Sequence, residues 1–428
     1  MSDFKVKIDQ TVADMRSAYF AFLQKLVQTP SLPGQEQAVQ NIISSKLRSL
    51  GLAVDVIESK QEELLQHPAY SDDGIPFEQR LNVIGCWRGN GKKTSALSRT
   101  LILNGHVDVV SPGNEDLWQD SPWSGKIENG RLFGRGSCDM KSGLASAIFA
   151  VEALQRLGLQ PAKDVLIESV IGEESGGIGT LTLIQKGYKA DAAIILEPTN
   201  LMLCPVQSGA LTFRLKIQGK AAHAALKKSG INAIEKLLPL MQAIDVLEKA
   251  RHKRYQSELF DDPQCIAPIS IGTINGGNWH SSVPEHLHIE GRLGVFPGES
   301  VDAAKEEFSQ ALMQAAKEDS WLSTHPPVIE WFEGQFESGQ TEIDAKIVKA
   351  LQKAHQKIWS TQADIKGVTY GSDLRLFTNH AGMPAVLYGP GDVRQAHAVD
   401  ECIELEHVLA CTKTLALLIS HWCGCSED

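Results

Sequence analysis

The chain has 428 residues, 43% of them hydrophobic, and a net charge of −11. That length supports two domains with substantial cores, while the acidic balance and the lack of a dense Lys/Arg block exclude a phosphate-backbone binder. No stretch of 18 uncharged apolar residues is present to span a membrane, and the opening MSDFKVKIDQ has no apolar leader core, so a soluble, cytoplasmic protein with no nucleic-acid or membrane partner is expected.

In chain order, apolar residues at helical spacing predict helices over about 12–26 and 36–49, the second stopped by Gly51. The runs AVDVIES, LNVIGCW, TLILNG, DVLIESVI and AAIIL then read as strands, interleaved with helices near 141–157 and 177–185. This alternation predicts an α/β fold with a mostly parallel sheet flanked by helices. Residues 60–99 read as an irregular excursion around one strand. From about Ser208 the texture changes: LTFRLKIQ, a helix near 232–249, CIAPISIGTI, HLHIEGRLGV, a helix over 301–317 and PVIEWFE give the β-α-β-β-α-β order of a ferredoxin-like α+β unit. The first pattern resumes with a helix near 343–359, the strand PAVLYG and a helix over 404–422. The expected division is 1–208 and 331–428 for one domain, with 209–330 inserted as a second. The eight cysteines are scattered and expected to be reduced; Cys423 and Cys425 form a CxC with no second pair at zinc-ribbon spacing, and read as part of the tail.

Polar residues collect where these strands end. LILNGHVDVV closes a buried-looking strand with His106 and places Asp108 two residues on, on the same side of an extended chain, where a carboxylate can orient the ring's second nitrogen. Asp139 lies in the Gly-rich run RLFGRGSCDMKSG before a helix, Glu173 and Glu174 follow DVLIESVI, Glu197 follows AAIIL, and His397 lies in the loop beyond PAVLYG. Singly these are a structural histidine, an N-cap and solvated acids. Together, beyond the carboxyl ends of parallel strands where ligands collect, they suit divalent first-row metals, with zinc leading and cobalt or manganese as substitutes, and suffice for two ions sharing one carboxylate.

NGHVDVVSPG, WSGKIENGRLFGRGSCDMKSGLA, GEESGG, LEPT, GKAAHAA and AHAVDE, in this order, resemble the di-zinc deacylase and exopeptidase family that includes acetylornithine deacetylase, succinyl-diaminopimelate desuccinylase, aminoacylase and glutamate carboxypeptidase. The resemblance implies a cytoplasmic metal-dependent amidohydrolase, with two zinc ions per chain and a homodimer formed through an inserted lid domain. It assigns His106 and Glu197 to one zinc, Glu174 and His397 to the other, Asp139 to both, Asp108 to orienting His106, and Glu173 to the general base. It also implies a cis Asp139–Met140 peptide, an oxyanion donor in His223, often supplied by the neighbouring subunit, a carboxylate grip in Arg292 and substrate contacts at Gly371 and Ser372. Many relatives carry an Asn where GGNWHSSVPE has Ser281, which puts the substrate in doubt. The leading expectation is deacetylation of an N-acylated amino acid of the acetylornithine kind, with dipeptidase, carboxypeptidase and deformylation of a pyrimidine amine as alternatives.

Overall fold

The structure, a computed structural model, describes residues 2–91 and 98–427. At its centre Val165–Val170, Leu101–His106, Ala193–Ile195 and Ala385–Leu387 lie side by side and parallel. Leu101, Ile102, Leu103, Val165, Ile167 and Ile194 are all fully buried, which is why these strands are continuous apolar runs and not alternating ones. The flanks are antiparallel: Leu81–Trp87 pairs with Val165–Val170 and then with Ala53–Glu58, while Leu203–Gln207 pairs with Ala385–Leu387. Ile365–Val368 adds one further parallel pair on Leu203–Gln207, but the strands whose ends carry the polar residues form the parallel centre.

Helices cover both faces. Ser142–Arg156 is buried along most of its length and packs against Ser2–Val27 and Leu405–Trp422. Tyr19 joins all three, stacking on Phe149 at 4.1 Å and sharing its hydroxyl with Ser146 and Thr412. Gly143 lets this helix approach the strand end that carries Glu197, since a Cβ there would meet the Leu196 carbonyl oxygen at 2.1 Å.

A second, wholly antiparallel sheet has the order Ile269–Gly276, His286–Val295, Gly209–Gln218, Val328–Phe336. The helices Ala233–Arg254 and Val301–Glu318 pack on it, and Phe213, Phe308, Leu240 and Leu312 form its core. The β-α-β-β-α-β order agrees with the expected ferredoxin-like unit, with the last strand running past residue 330 to Phe336.

Local details depart from expectation. The first helix begins at Ser2 and not near Val12: buried Ile8 carries the apolar face of Val12 and Met15 back one more turn, among polar residues that masked it. The strands Leu203–Gln207 and Ile365–Val368 escaped the sequence reading: the first contains Pro205 and the second has Lys366 and Gly367 at its middle. All eight cysteines are free thiols. Among the described residues no helix is long and apolar enough to cross a membrane.

Candidate metal centre and active site

Because the four central strands run the same way, their carboxyl ends fall on one edge, and the polar residues just beyond them meet there. His106 Nε2 lies 3.0 Å from Asp139 Oδ1, 3.9 Å from Glu173 Oε2 and 4.0 Å from Glu197 Oε1. His397 Nε2 lies 3.1 Å from Glu174 and 3.5 Å from Asp139 Oδ2. Asp139 thus turns one oxygen to each imidazole, as a carboxylate shared by two ions would. His106 with Glu173 and Glu197, and His106 with Asp139 and Glu174, form two groups whose ligand atoms lie within 4.8 Å of one another. The expected ligands come together, and Glu173 stands among them.

Buried polar groups fix the loops that carry them. His106 Nδ1 bonds the main-chain oxygen of Asp108 at 2.9 Å, while the Asp108 carboxylate, 3.7 Å from that nitrogen, accepts the N–H groups of Glu173 and Glu174. The expected orientation of the imidazole therefore comes from the backbone of Asp108, and its side chain pins the Glu173–Glu174 turn instead. Glu401 does the same for Asp139: one oxygen accepts the N–H groups of Cys138 and Asp139, and the other pairs with buried Arg135 at 2.6 Å. The Asp139–Met140 peptide is cis.

The electrostatics fit a cation site. Burial pushes the pKa values of Glu173, Glu174 and Glu197 upward, helped by Glu197 for the first and by Asp139 for the other two. Burial alone would lower His106, but the hydrogen bond to Asp139 and the nearby carboxylates raise it well above its ordinary value; bonds to Asp139 and Glu174 carry His397 up to about 10. Carboxylates crowded this closely repel one another out of water, and divalent ions would relieve that repulsion.

A cavity of about 480 Å³ opens beside the cluster and is lined by Glu173, Glu174, His397, Arg292 and Gly371, with Glu333, Phe336 and Tyr370 on its walls. Arg292 thus reaches the site from the second sheet, donating to the Thr369 carbonyl. Gly371 is a tight neighbour of Phe336, whose Cβ would lie 2.7 Å from any Cβ added there. The expectation for Ser372 is not met within the chain: its side chain is buried and donates to Gln207, away from the cavity lining. His223 and Ser281 also lie outside that lining. They sit together at the small two-stranded ladder pairing Ala222–His223 with Ser282–Val283, where His223 is exposed and accepts the Ala225 N–H, and Ser281, just before the second strand, bonds His280.

Several site residues had no reading of their own in the sequence. Glu401 lies in the quoted AHAVDE, yet only its contacts give it a role. Asp373 is buried, accepts the Thr180 hydroxyl at 2.5 Å and adds to the upward shift of Glu173; Arg375 donates to the Gly176 carbonyl. Both stand in YGSDLR, where spacing alone gave no sign. The Tyr370 hydroxyl is buried and has no partner among the described residues.

Residues 102–421 match the profile described as Peptidase family M20/M25/M40. The chain is 29% identical to the N-formyl-4-amino-5-aminomethyl-2-methylpyrimidine deformylase of Halalkalibacterium halodurans, covering 94% of each chain, and 24% identical to the acetylornithine deacetylase of Myxococcus xanthus, covering 92% of this chain and 99% of the other. Among solved structures, the di-peptidase Dug1p of Saccharomyces cerevisiae aligns over 100% of both chains with a TM-score of 0.77 at 17% identity.

Proposed function

The chain belongs to peptidase family M20/M25/M40, hydrolases of amide bonds, and on that footing we propose that it removes a small acyl group from a primary amine with two zinc ions held by His106, Asp139, Glu174, Glu197 and His397. The observation that carries this reading is Asp139 placed between two imidazoles with Glu173 beside them. Bound metal would supply Lewis-acid polarisation of the amide carbonyl and a water acidic enough to react near neutral pH. Glu173, whose burial favours its protonated form, takes the water's proton and returns it to the departing amine. Asp108 and Glu401 hold the turns on which Glu173, Glu174 and Asp139 ride. In this reading residues 1–208 and 337–428 are the catalytic domain and 209–336 the lid, whose last strand carries it past the expected boundary at 330.

Likeness to the deformylase moves the formyl group ahead of the acetyl group that led the sequence expectation. Arg292 in the cavity supports a second reading, an N-acyl amino acid or dipeptide held by its carboxylate through the guanidinium. Homodimerisation through the lid is part of the proposal. The strand Ile269–Gly276 is an edge strand, and the helix Ala233–Arg254 exposes Ile234, Leu238 and Met241, so an unpaired backbone and an apolar face are both offered to a second copy. His223 would then reach the neighbouring cavity.

A panel of N-formyl, N-acetyl and N-succinyl amines with dipeptides, assayed before and after chelation and on adding back zinc, cobalt or manganese, tests this. Turnover should vanish with the metal, return with it and be fastest for the formyl amine. Hydrolysis undiminished by full metal removal, or none from the metal-loaded protein, overturns it.

A further inference from the structure

The lid strand Val328–Phe336 breaks register against Gly209–Gln218: Trp331 stands opposite Phe213 and Gln335 opposite Leu211. Phe332, Glu333 and Gly334 therefore face Thr212 alone, as a bulge. Side chains hold all three of its carbonyls. Gln335 Nε2 donates to those of Phe332 at 3.0 Å and Gly334 at 3.3 Å, Thr212 Oγ1 adds a bond to Gly334, and Ser71 Oγ, from the first domain, donates to that of Glu333 at 2.5 Å. Arg214 lies over the Phe332 ring at 4.4 Å. Within this brace Glu333 adopts φ +47°, a conformation that side chains other than Asn, Asp and Gly seldom take and that persists where the surroundings impose it.

The bulge sets Glu333 on the wall of the cavity beside Glu173 and His397. Its carboxylate makes no hydrogen bond or ion pair among the described residues, whereas Asp73, the acid next to it in that wall, is committed to Arg80 at 2.6 Å, Ser175 at 2.9 Å and the Ile75 N–H at 3.0 Å. Arg292 shares the cavity and does not pair with Glu333.

The geometry points to Glu333 as the residue that selects the amine half of the substrate, by binding a cationic or N–H-rich group carried on the amine whose acyl bond is cut. The inference rests on the amidohydrolase reading and narrows its substrate class. A carboxylate accepts two parallel N–H bonds from the edge of an aminopyrimidine protonated on the ring nitrogen beside its amino group, or pairs with the second ammonium of a diamine. Tyr370 and Phe336 on the same wall offer a flat ring an aromatic surface.

Binding of the free amines to the metal-loaded protein tests the selector without turnover. 4-Amino-5-aminomethyl-2-methylpyrimidine and ornithine are the probes, benzylamine the comparator lacking the extra N–H groups, and the tighter probe identifies the source. Glu333→Gln keeps the size of the side chain, and Glu333→Asn suits the positive φ. Both should weaken the tighter probe about tenfold or more relative to benzylamine, the loss expected for a hydrogen bond to a charged group. An unchanged ratio, equal loss for all ligands, or no binding of either probe to the unaltered protein overturns the inference. Binding that follows the expected pattern while the whole acyl panel stays uncut would sink the amidohydrolase reading and leave Glu333 as a selector of amines.

Discussion

At the carboxyl edge of the large sheet most of the chemistry-bearing side chains are buried and tied to one another, with His397 half in solvent, whereas on the lid sheet they stand in solvent or at a cavity wall. His106, Asp108 and Glu197 are at most 4% exposed, and the turns around them are bonded through Asp108 and Glu401. His223 is exposed on its short ladder, and Glu333 and Arg292 meet the site only where the lid borders it. The contrast separates two tasks. Holding like charges together out of water demands surroundings that satisfy every polar group, whereas recognising a substrate requires a surface that can be completed by another surface.

The sharpest way to break this comparison is Glu173→Gln. Turnover should fall about 10²–10⁴-fold, the range for a positioned proton carrier, while metal content by elemental analysis stays unchanged. Loss of metal as well would make Glu173 a ligand and erase its distinction from Glu174. Next in size, His223→Ala should cost about 10²-fold in kcat, as for loss of an oxyanion donor, with no loss of metal. Mixing that variant with Glu173→Gln subunits should recover part of the activity if His223 acts across a dimer; mixtures no better than their parents would confine it to its own chain. The smallest effect is expected from Glu401→Gln, which weakens the acceptor for the Cys138 and Asp139 N–H groups and leaves Arg135 without its counter-charge. Metal affinity by chelator competition should drop about 10–100-fold, the usual cost of losing a group that orients a ligand. Unchanged affinity would show that the Asp139 loop needs no such tie.

How far the site could be read depended on where each residue stood. His106, Glu174 and Glu197 were legible because an apolar strand that ends abruptly in His or Glu advertises its end, and parallel strands collect such ends on one edge; Asp139 and His397 stand in loops, where the motifs around them gave the signal. Asp108 was half legible: period-two spacing put it beside His106, but which of its oxygens would meet the ring was decided by the turn at Glu173 and Glu174. Ser372 was misplaced because a loop sequence carries no period to say which way a hydroxyl points, and Gln207 claims it. The Glu333 bulge was invisible, since strand alternation assumes an unbroken register and the break arises from Gln335, Thr212 and Ser71.

By itself the sequence determined the strand and helix alternation, the β-α-β-β-α-β order of the lid and the residues offered at strand ends, because hydrophobic periodicity and chain direction are local properties. Only the tertiary structure decided that Asp139 stands between two imidazoles, that Arg135 and Glu401 hold its loop, and that Glu333 shares a cavity with Glu173. Those arrangements join segments far apart in the chain, and burial fixes them by requiring each polar group to find a partner wherever the fold brings one.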